Sequence, residues 1–385
     1  MVGRKFTFIL TISIMGTSTF IIGLLPTYDQ IGLAAPLLLV LLRLAQGAAL
    51  GGEYGGAAIY VAEHAPDNRR GYFTSYIQTT ATIGLLLSLA VVVGVRLIVG
   101  VENFEAWGWR IPFLLSSVLV AIALYIRLSL RETPLFSRLK SEKKTSTSPI
   151  KDSFRNNAWR LMLVALLGAT AGQAVVWYTG QFYPLFFLQN QLEIDLVTSS
   201  VIVGIAIIFA TPFFLLFGWL SDRIGRKPII LGGCLIAAIT YIPIYQAMIA
   251  VSDPLNGVAM TGLIFVQIVY VTAVYGPIAA FLVELFPTNV RYTSLSLPYH
   301  IGNGWFGGLT PLIAASIVAA TGNPLAGLAF PIAIALMTFV VGMFLIKETK
   351  DVKIWDDVDI ALHTRGAAGE IVLDEEPARG ETLRR

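Results

Sequence analysis

The sequence predicts an all-α polytopic membrane protein made of two pseudo-symmetric helical bundles, and three observations carry that prediction. First, 56% of the 385 residues are hydrophobic and only 13% are charged. Soluble domains carry about 25% charged residues, so this chain cannot clothe a water-facing surface. Second, the apolar residues come in runs of about twenty or more, long enough as helix to cross a hydrocarbon core of roughly 30 Å. Third, a pair of basic turns and the hairpin between them recur half a chain apart.

Ten spans are expected, near 6–26, 34–62, 72–98, 110–130, 159–188, 196–219, 228–250, 257–284, 292–320 and 325–346. The first follows Arg4 and Lys5, as a signal peptide would. It runs on for about twenty residues without a small-x-small cleavage site, which marks a retained span. "HAPDNRRG" closes the second span, and "VENFEAWGWR" leads from the third into the fourth. Later turns are "NQLEID", "SDRIGRK", "SDPLNG", "LFPTNVR" and "TGNPLAG", each polar or broken by Pro or Gly. The long polar interruption at 131–158 divides an N-terminal bundle of four spans, 1–130, from a six-span bundle, 159–346. Residues 347–385 read as a polar, solvated tail.

Loop charges set an orientation. Arg4, Lys5, Arg69, Arg70, the central loop, Arg223, Arg226, Lys227, Arg291 and Lys347 fall on one side. The other side holds Asp29, Glu102, Glu105, Glu193, Asp195 and Asp253, with only Arg96 and Arg110 near span ends. The positive-inside rule then places both termini and the central loop in the cytoplasm, for a multi-pass protein of the inner membrane.

The repeat is specific. Gly3-Arg4-Lys5 aligns with Gly225-Arg226-Lys227, 222 residues on. "EHAPDNRRG" at 63–71 lies over "ELFPTNVRY" at 284–292, which matches Glu63, Pro66, Asn68 and Arg70 to Glu284, Pro287, Asn289 and Arg291. Duplicated halves are the common architecture of secondary transporters. Two spans stand between the central loop and Gly225, whereas two residues precede Gly3. By internal symmetry, two leading helices are expected to be missing, together with the counterpart of Asp222.

"WLSDRIGRK" resembles the signature loop of the major facilitator superfamily. "RLAQGAALGGEYGGAAIYVAEHAPDNRRG", "WGWRIPFLLS", "RETPLF", "ELFPTNVRYTSLSLPYHIGNGWFGGLTP" and "KETK" are similar, more narrowly, to its metabolite:proton symporters. The resemblance implies two six-helix halves that rock about a central site, moving a small organic acid or a zwitterion such as proline or betaine together with protons. It implies no cofactor and no enzymatic step. The partners are then solute, protons and lipid, with no nucleic acid, for a monomeric carrier.

Candidate site residues follow from charges and amides placed where they are costly. Arg43 lies about nine residues into its span, roughly 14 Å deep, and a charge at such depth marks a functional site by default. Gln46 is one turn on. Glu53, in "GGEYGG", is a candidate proton carrier, since desolvation raises a carboxyl pKa; a permanent ion pair is the alternative. Gln173, Trp177 and Gln181 recur every four residues, with Tyr178 and Tyr183 beside them, a face suited to polar groups and to cations over aromatic rings. His300 and Asn303 are weaker cavity candidates. Arg4, Glu63, Arg70, Asp222, Arg223, Arg226, Glu284 and Arg291 sit at cytoplasmic span ends and are expected to form a gate of ion pairs.

Other classes are disfavoured. The chain has no Walker loop, and its three histidines and single cysteine, Cys234, make no metal cluster or disulfide framework. A channel, or a transport-incompetent membrane protein, remains the alternative reading.

Overall fold

The computed structural model describes residues 4–51, 53–129, 158–287 and 290–354. Gly3, nearly all of the central loop and residues 355–385, discussed above, lie outside the described residues, as does the side chain of Arg4. Each of the ten expected intervals holds a helix. These are α1 (Arg4–Leu24), α2 (Ala34–His64), α3 (Asp67–Val99), α4 (Arg110–Ser129), α5 (Trp159–Asn190), α6 (Leu196–Ile224), α7 (Arg226–Ala250), α8 (Gly257–Leu285), α9 (Arg291–Thr321) and α10 (Ala326–Leu345). Eight are long and apolar enough to cross a membrane; a ninth is counted when Val101–Gly108 and Arg110–Ile126, bent by 61°, are taken as one span. The described apolar part of α1, Ile9–Leu24, is shorter.

Helices suit this setting because each satisfies its own backbone hydrogen bonds where no water can. Several spans that read as continuous are broken, and the sequence shows why. α2 is Ala34–Leu50 followed by Tyr54–His64, interrupted in the glycine-rich "GGEYGG". α5, α6 and α8 break beside Pro184, Pro212 and Pro277, where a ring replaces a backbone donor. α9 passes through a π-helical segment, Gly302–Gly307, the kind of bulge that often marks a functional site.

The main buried core belongs to the second bundle, around Tyr183, Phe187, Phe214, Tyr241, Tyr245 and Met248. Among the described residues of the first bundle, Ala58, Ile59 and Ala62 of α2 are buried in it, with Tyr54, Ile77, Leu85, Leu86 and Leu89 packed against it. Between the bundles α3 packs along α6, and the second half of α2 meets α8 and α9. Within the segment expected to be a solvated tail, Thr349 and Ile354 are buried.

Candidate functional site

The basic turns expected to gate the protein form a buried cluster joining the two bundles. Glu284, at the end of α8, is its hub. Its Oε1 accepts from Arg70 Nη1 at 2.9 Å and Arg226 Nη2 at 3.0 Å, and its Oε2 accepts from Arg226 Nε at 3.2 Å. All three side chains are fully buried. Arg70 also pairs with Asp67. Charge-assisted bonds of this kind are strong, and they must be, because uncompensated burial of either guanidinium would cost several kcal/mol.

Asp222 couples the signature turn to the other half. Its two oxygens accept from the backbone N–H groups of Gly71 and Tyr72, each at 2.8 Å, while Oδ1 lies 2.7 Å from Arg226 Nη1. A carboxylate at the first turn of the helix from Arg70 meets free donors and the positive end of the helix dipole. The approach is close enough to require glycine. A Cβ on Gly71 would sit 2.6 Å from the Gly218 carbonyl oxygen, and one on Gly218 would sit 2.6 Å from Ser75 Cβ.

The remaining gate candidates are less central. Arg291 is buried and donates from Nε to the Phe286 carbonyl. Glu63 is buried. Arg223 lies over the Trp219 ring at 3.9 Å, outside the cluster.

The sequence reading missed the strap that crosses the cluster. Glu348 accepts from the backbone N–H groups of Arg226 and Lys227 at 2.8 and 3.0 Å, capping α7 beside Gly225, whose φ of +112° favours glycine. Thr349 Oγ1 donates to Glu284 Oε2 at 2.8 Å, and Arg70 Nη1 donates to the Val352 carbonyl at 3.0 Å. In "KETK" the available signal is an acid followed by a hydroxyl just past the last span.

The polar stripe of α5 is also partnered across the molecule. Gln173 exchanges long bonds of 3.4 Å with Asn303 of α9, and Gln181 Nε2 donates to Thr82 Oγ1 of α3 at 3.1 Å. Trp177 Nε1 and Gln181 Oε1 are buried without a partner. Tyr178 lies against Gly307 of the π-helical segment. Tyr183 does not join the stripe, since it packs with Phe187 and Tyr245 in the second bundle's core. Thr82 was missed because a threonine in an apolar span carries no signal of its own.

Arg43 is exposed along α2 rather than packed against a neighbour, and it lines a cavity of about 500 Å³ with Leu39, Trp109 and Phe113. Its Nη1 donates to Gln46 Oε1 at 3.1 Å, and Gln46 Nε2 donates to Thr19 of α1 at 2.7 Å. Glu53 stands at the α2 break, half-buried. His300, on α9, is half-buried, and its ring stands edge-on to that of Tyr299 at 5.2 Å.

Two helical bundles, latched at one end by buried ion pairs and lined between them by amides and aromatic rings, make an arrangement suited to a solute carrier. The comparisons specify which. The sequence profile of the Major Facilitator Superfamily matches residues 2–298, and the chain belongs to that superfamily. It is 35% identical over 360 residues to the glycine betaine/proline/ectoine/pipecolic acid transporter OusA of Dickeya dadantii, covering 90% of this chain and 70% of the relative. It is 34% identical over the same length, with the same coverage, to the proline/betaine transporter of Escherichia coli K12. Among solved structures, the proton:xylose symporter XylE bound to 6-bromo-6-deoxy-D-glucose superposes with a TM-score of 0.72. That match is at 18% identity and covers 93% of this chain and 83% of XylE.

Proposed function

We propose that the chain is a proton-coupled symporter of a small zwitterion of the proline or betaine kind. It works as a monomer of the inner membrane, with both termini cytoplasmic, and the bundles 1–130 and 159–346 rock about a central site. The observation that supports this reading is the buried Arg70–Glu284–Arg226 cluster, in which the Arg70–Glu284 pair joins the two bundles by a contact that rocking would break. Loop charge supports placing that end in the cytoplasm. Gln173, Trp177, Tyr178, Gln181 and Asn303 would receive the solute, with amides for its carboxylate and rings for its cationic group. Arg43 and Glu53 would couple the proton.

The test is uptake of labelled proline and glycine betaine into proteoliposomes. Accumulation should follow an imposed inward proton gradient and collapse with a protonophore. Glu53→Gln should retain exchange of solute but lose gradient-driven accumulation; unchanged accumulation removes Glu53 from the coupling role.

A further inference from the structure

The internal repeat aligns more than the basic turns. Shifted by the 221 residues that carry Glu63 onto Glu284 and Arg70 onto Arg291, Tyr54 falls on Tyr275 and Gln78 falls on Tyr299. The fold brings these four side chains together where the bundles meet. Tyr54 and Tyr299 stack face to face, with 3.6 Å between centroids and 1° between planes. Gln78 Nε2 donates to Tyr54 Oη at 2.7 Å, and the hydroxyls of Tyr275 and Tyr299 hydrogen-bond each other. Each half therefore supplies one bonded pair from equivalent positions, and the stack joins the two pairs.

The seam around the stack is tight. Gly55 lies so near α9 that a Cβ there would sit 2.4 Å from Ser296 Oγ and 3.2 Å from Leu295 Cδ1.

The height of this quartet is the same on every helix that supplies it. Tyr54 precedes Glu63 by nine residues, and Tyr275 precedes Glu284 by nine; Gln78 follows Arg70 by eight, and Tyr299 follows Arg291 by eight. At 1.5 Å per residue, each lies about 12–14 Å from the charged layer. The Trp177 ring of the polar stripe is 6.0 Å from that of Tyr275, so the quartet borders the stripe.

We propose that Tyr54, Gln78, Tyr275 and Tyr299 form a second gate, the floor of the solute site, in series with the ion pairs. This rests on the two-bundle carrier reading, but not on which solute is carried. The two layers differ in kind. Once parted, the ion pairs hydrate readily, because every member is a strong donor or acceptor. A ring stack held in register by hydrogen bonds at both ends is dry, and it blocks water until the rings separate. Opening therefore requires both layers to part, and loss of the charged layer alone leaves the solute stripe sealed.

Arg70, Thr74, Gln78 and Thr82 follow one another at four-residue spacing on α3, and all are buried, so they make a ruler through both layers. In a Cys234→Ala background, Thr74→Cys reports the space between the layers and Thr82→Cys the space beyond the floor. The probe is a membrane-impermeant maleimide added to inside-out membrane vesicles. Glu284→Gln should speed labelling of Thr74→Cys about tenfold while leaving Thr82→Cys within about twofold of its starting rate. Adding Tyr54→Ala and Tyr299→Ala should bring Thr82→Cys up to the rate of Thr74→Cys.

Equal labelling of the two reporters in Glu284→Gln alone overturns the proposal, as does protection of Thr82→Cys that survives removal of the stack. If the alanine pair loses its normal gel-filtration profile, Tyr54→Leu with Tyr299→Leu keeps apolar volume without the stack and answers the same question. The labelling needs no solute, so failure to carry proline or betaine leaves this test intact.

Discussion

The two bundles carry the same repeat and pack very differently. In α2 and α3, 6% of the most apolar window is buried inside the protein; in the second bundle it falls from 61% in α5 and 56% in α7, through 44% in α6 and α8, to 28% in α10 and 17% in α9. Leu37, Leu38, Val40, Leu41 and Leu44 of α2 are exposed, while Phe187 and Tyr245 of the second bundle are fully buried. The difference teaches that an apolar run specifies membrane insertion and not a packed face. Lipid tails are as apolar as leucine, so burial against protein gains little from water exclusion and depends on close contact and polar bonds. Those are supplied by single residues, such as Gly71, Gly218 and Asp222, and not by the hydrophobic pattern.

The sharpest break of that comparison is in the aromatic core of the second bundle. Phe187→Ala leaves a cavity beside Tyr183 and Tyr245 and should cost about 3–5 kcal/mol, less where neighbours collapse inward. Leu41→Ala removes an exposed side chain and should change stability by no more than about 0.5 kcal/mol. Thermal melting in detergent compares the pair directly.

Next in size is Glu284→Gln. Arg70 and Arg226 each lose one carboxylate and keep another, Asp67 and Asp222 respectively. The cost should therefore be about 2–3 kcal/mol, below that of a fully unpaired buried charge, read as a fall in melting temperature of the purified protein. Arg43→Gln, at an exposed charge in the other bundle, is expected to stay within about 0.5 kcal/mol of wild type. A comparable loss at both sites would mean that the first bundle is packed as firmly as the second.

A smaller effect tests one helix against itself. Gly71→Ala forces a Cβ against the Gly218 carbonyl oxygen and should cost about 1–3 kcal/mol by overpacking. Gly84, on the same helix, has nothing within 4 Å of its Cβ position. There alanine should stabilise by up to about 1 kcal/mol through helix propensity. Equal responses would show that α3 does not sit against α6 in the working protein.

Much of this was legible in the sequence. The major facilitator fold and the run of apolar helices followed from hydropathy, the repeat and the signature turn, because insertion and loop charge are written locally. Of the ten expected spans, eight or nine are long and apolar enough to cross a membrane among the described residues. At the ion-pair end, Arg70, Asp222, Arg226 and Glu284 were all named from the sequence, and in the structure they lie in one cluster. Glu348 and Thr349 were not named, since a strap gains meaning only from what it crosses. Arg43 was read as a buried charge from its depth alone. Depth along a helix does not say which way the helix face turns, and here it turns to an open cavity. Tyr54 and Tyr299 were passed over because a tyrosine in a span is ordinary until its partner is known.

The smallest prediction concerns how two spans begin. α6 starts at Asp195, whose extended backbone (φ −57°, ψ 156°) lets its carboxylate accept from the N–H groups of Val197 and Thr198 at 2.9 and 3.1 Å. α2 starts at Leu33, which is already helical (φ −61°, ψ −16°) and has no side-chain cap. Asp195→Ala should therefore cost about 0.5–1 kcal/mol, as loss of an exposed cap does. Leu33→Asp should gain nothing, because its backbone does not present the cap geometry.

The cap also titrates. Hydrogen bonds from the Thr198 side chain and backbone, with the Arg96 guanidinium nearby, hold the Asp195 carboxyl below the usual aspartate value of 3.8. A group whose pKa is lowered by folding contributes stability above its unfolded pKa and loses it as pH falls through the folded one. The melting-temperature gap between wild type and Asp195→Asn should thus be steady near neutrality and close once pH drops below about 4. A gap that does not change with pH would mean that the charge adds nothing to the bonds an amide can also accept.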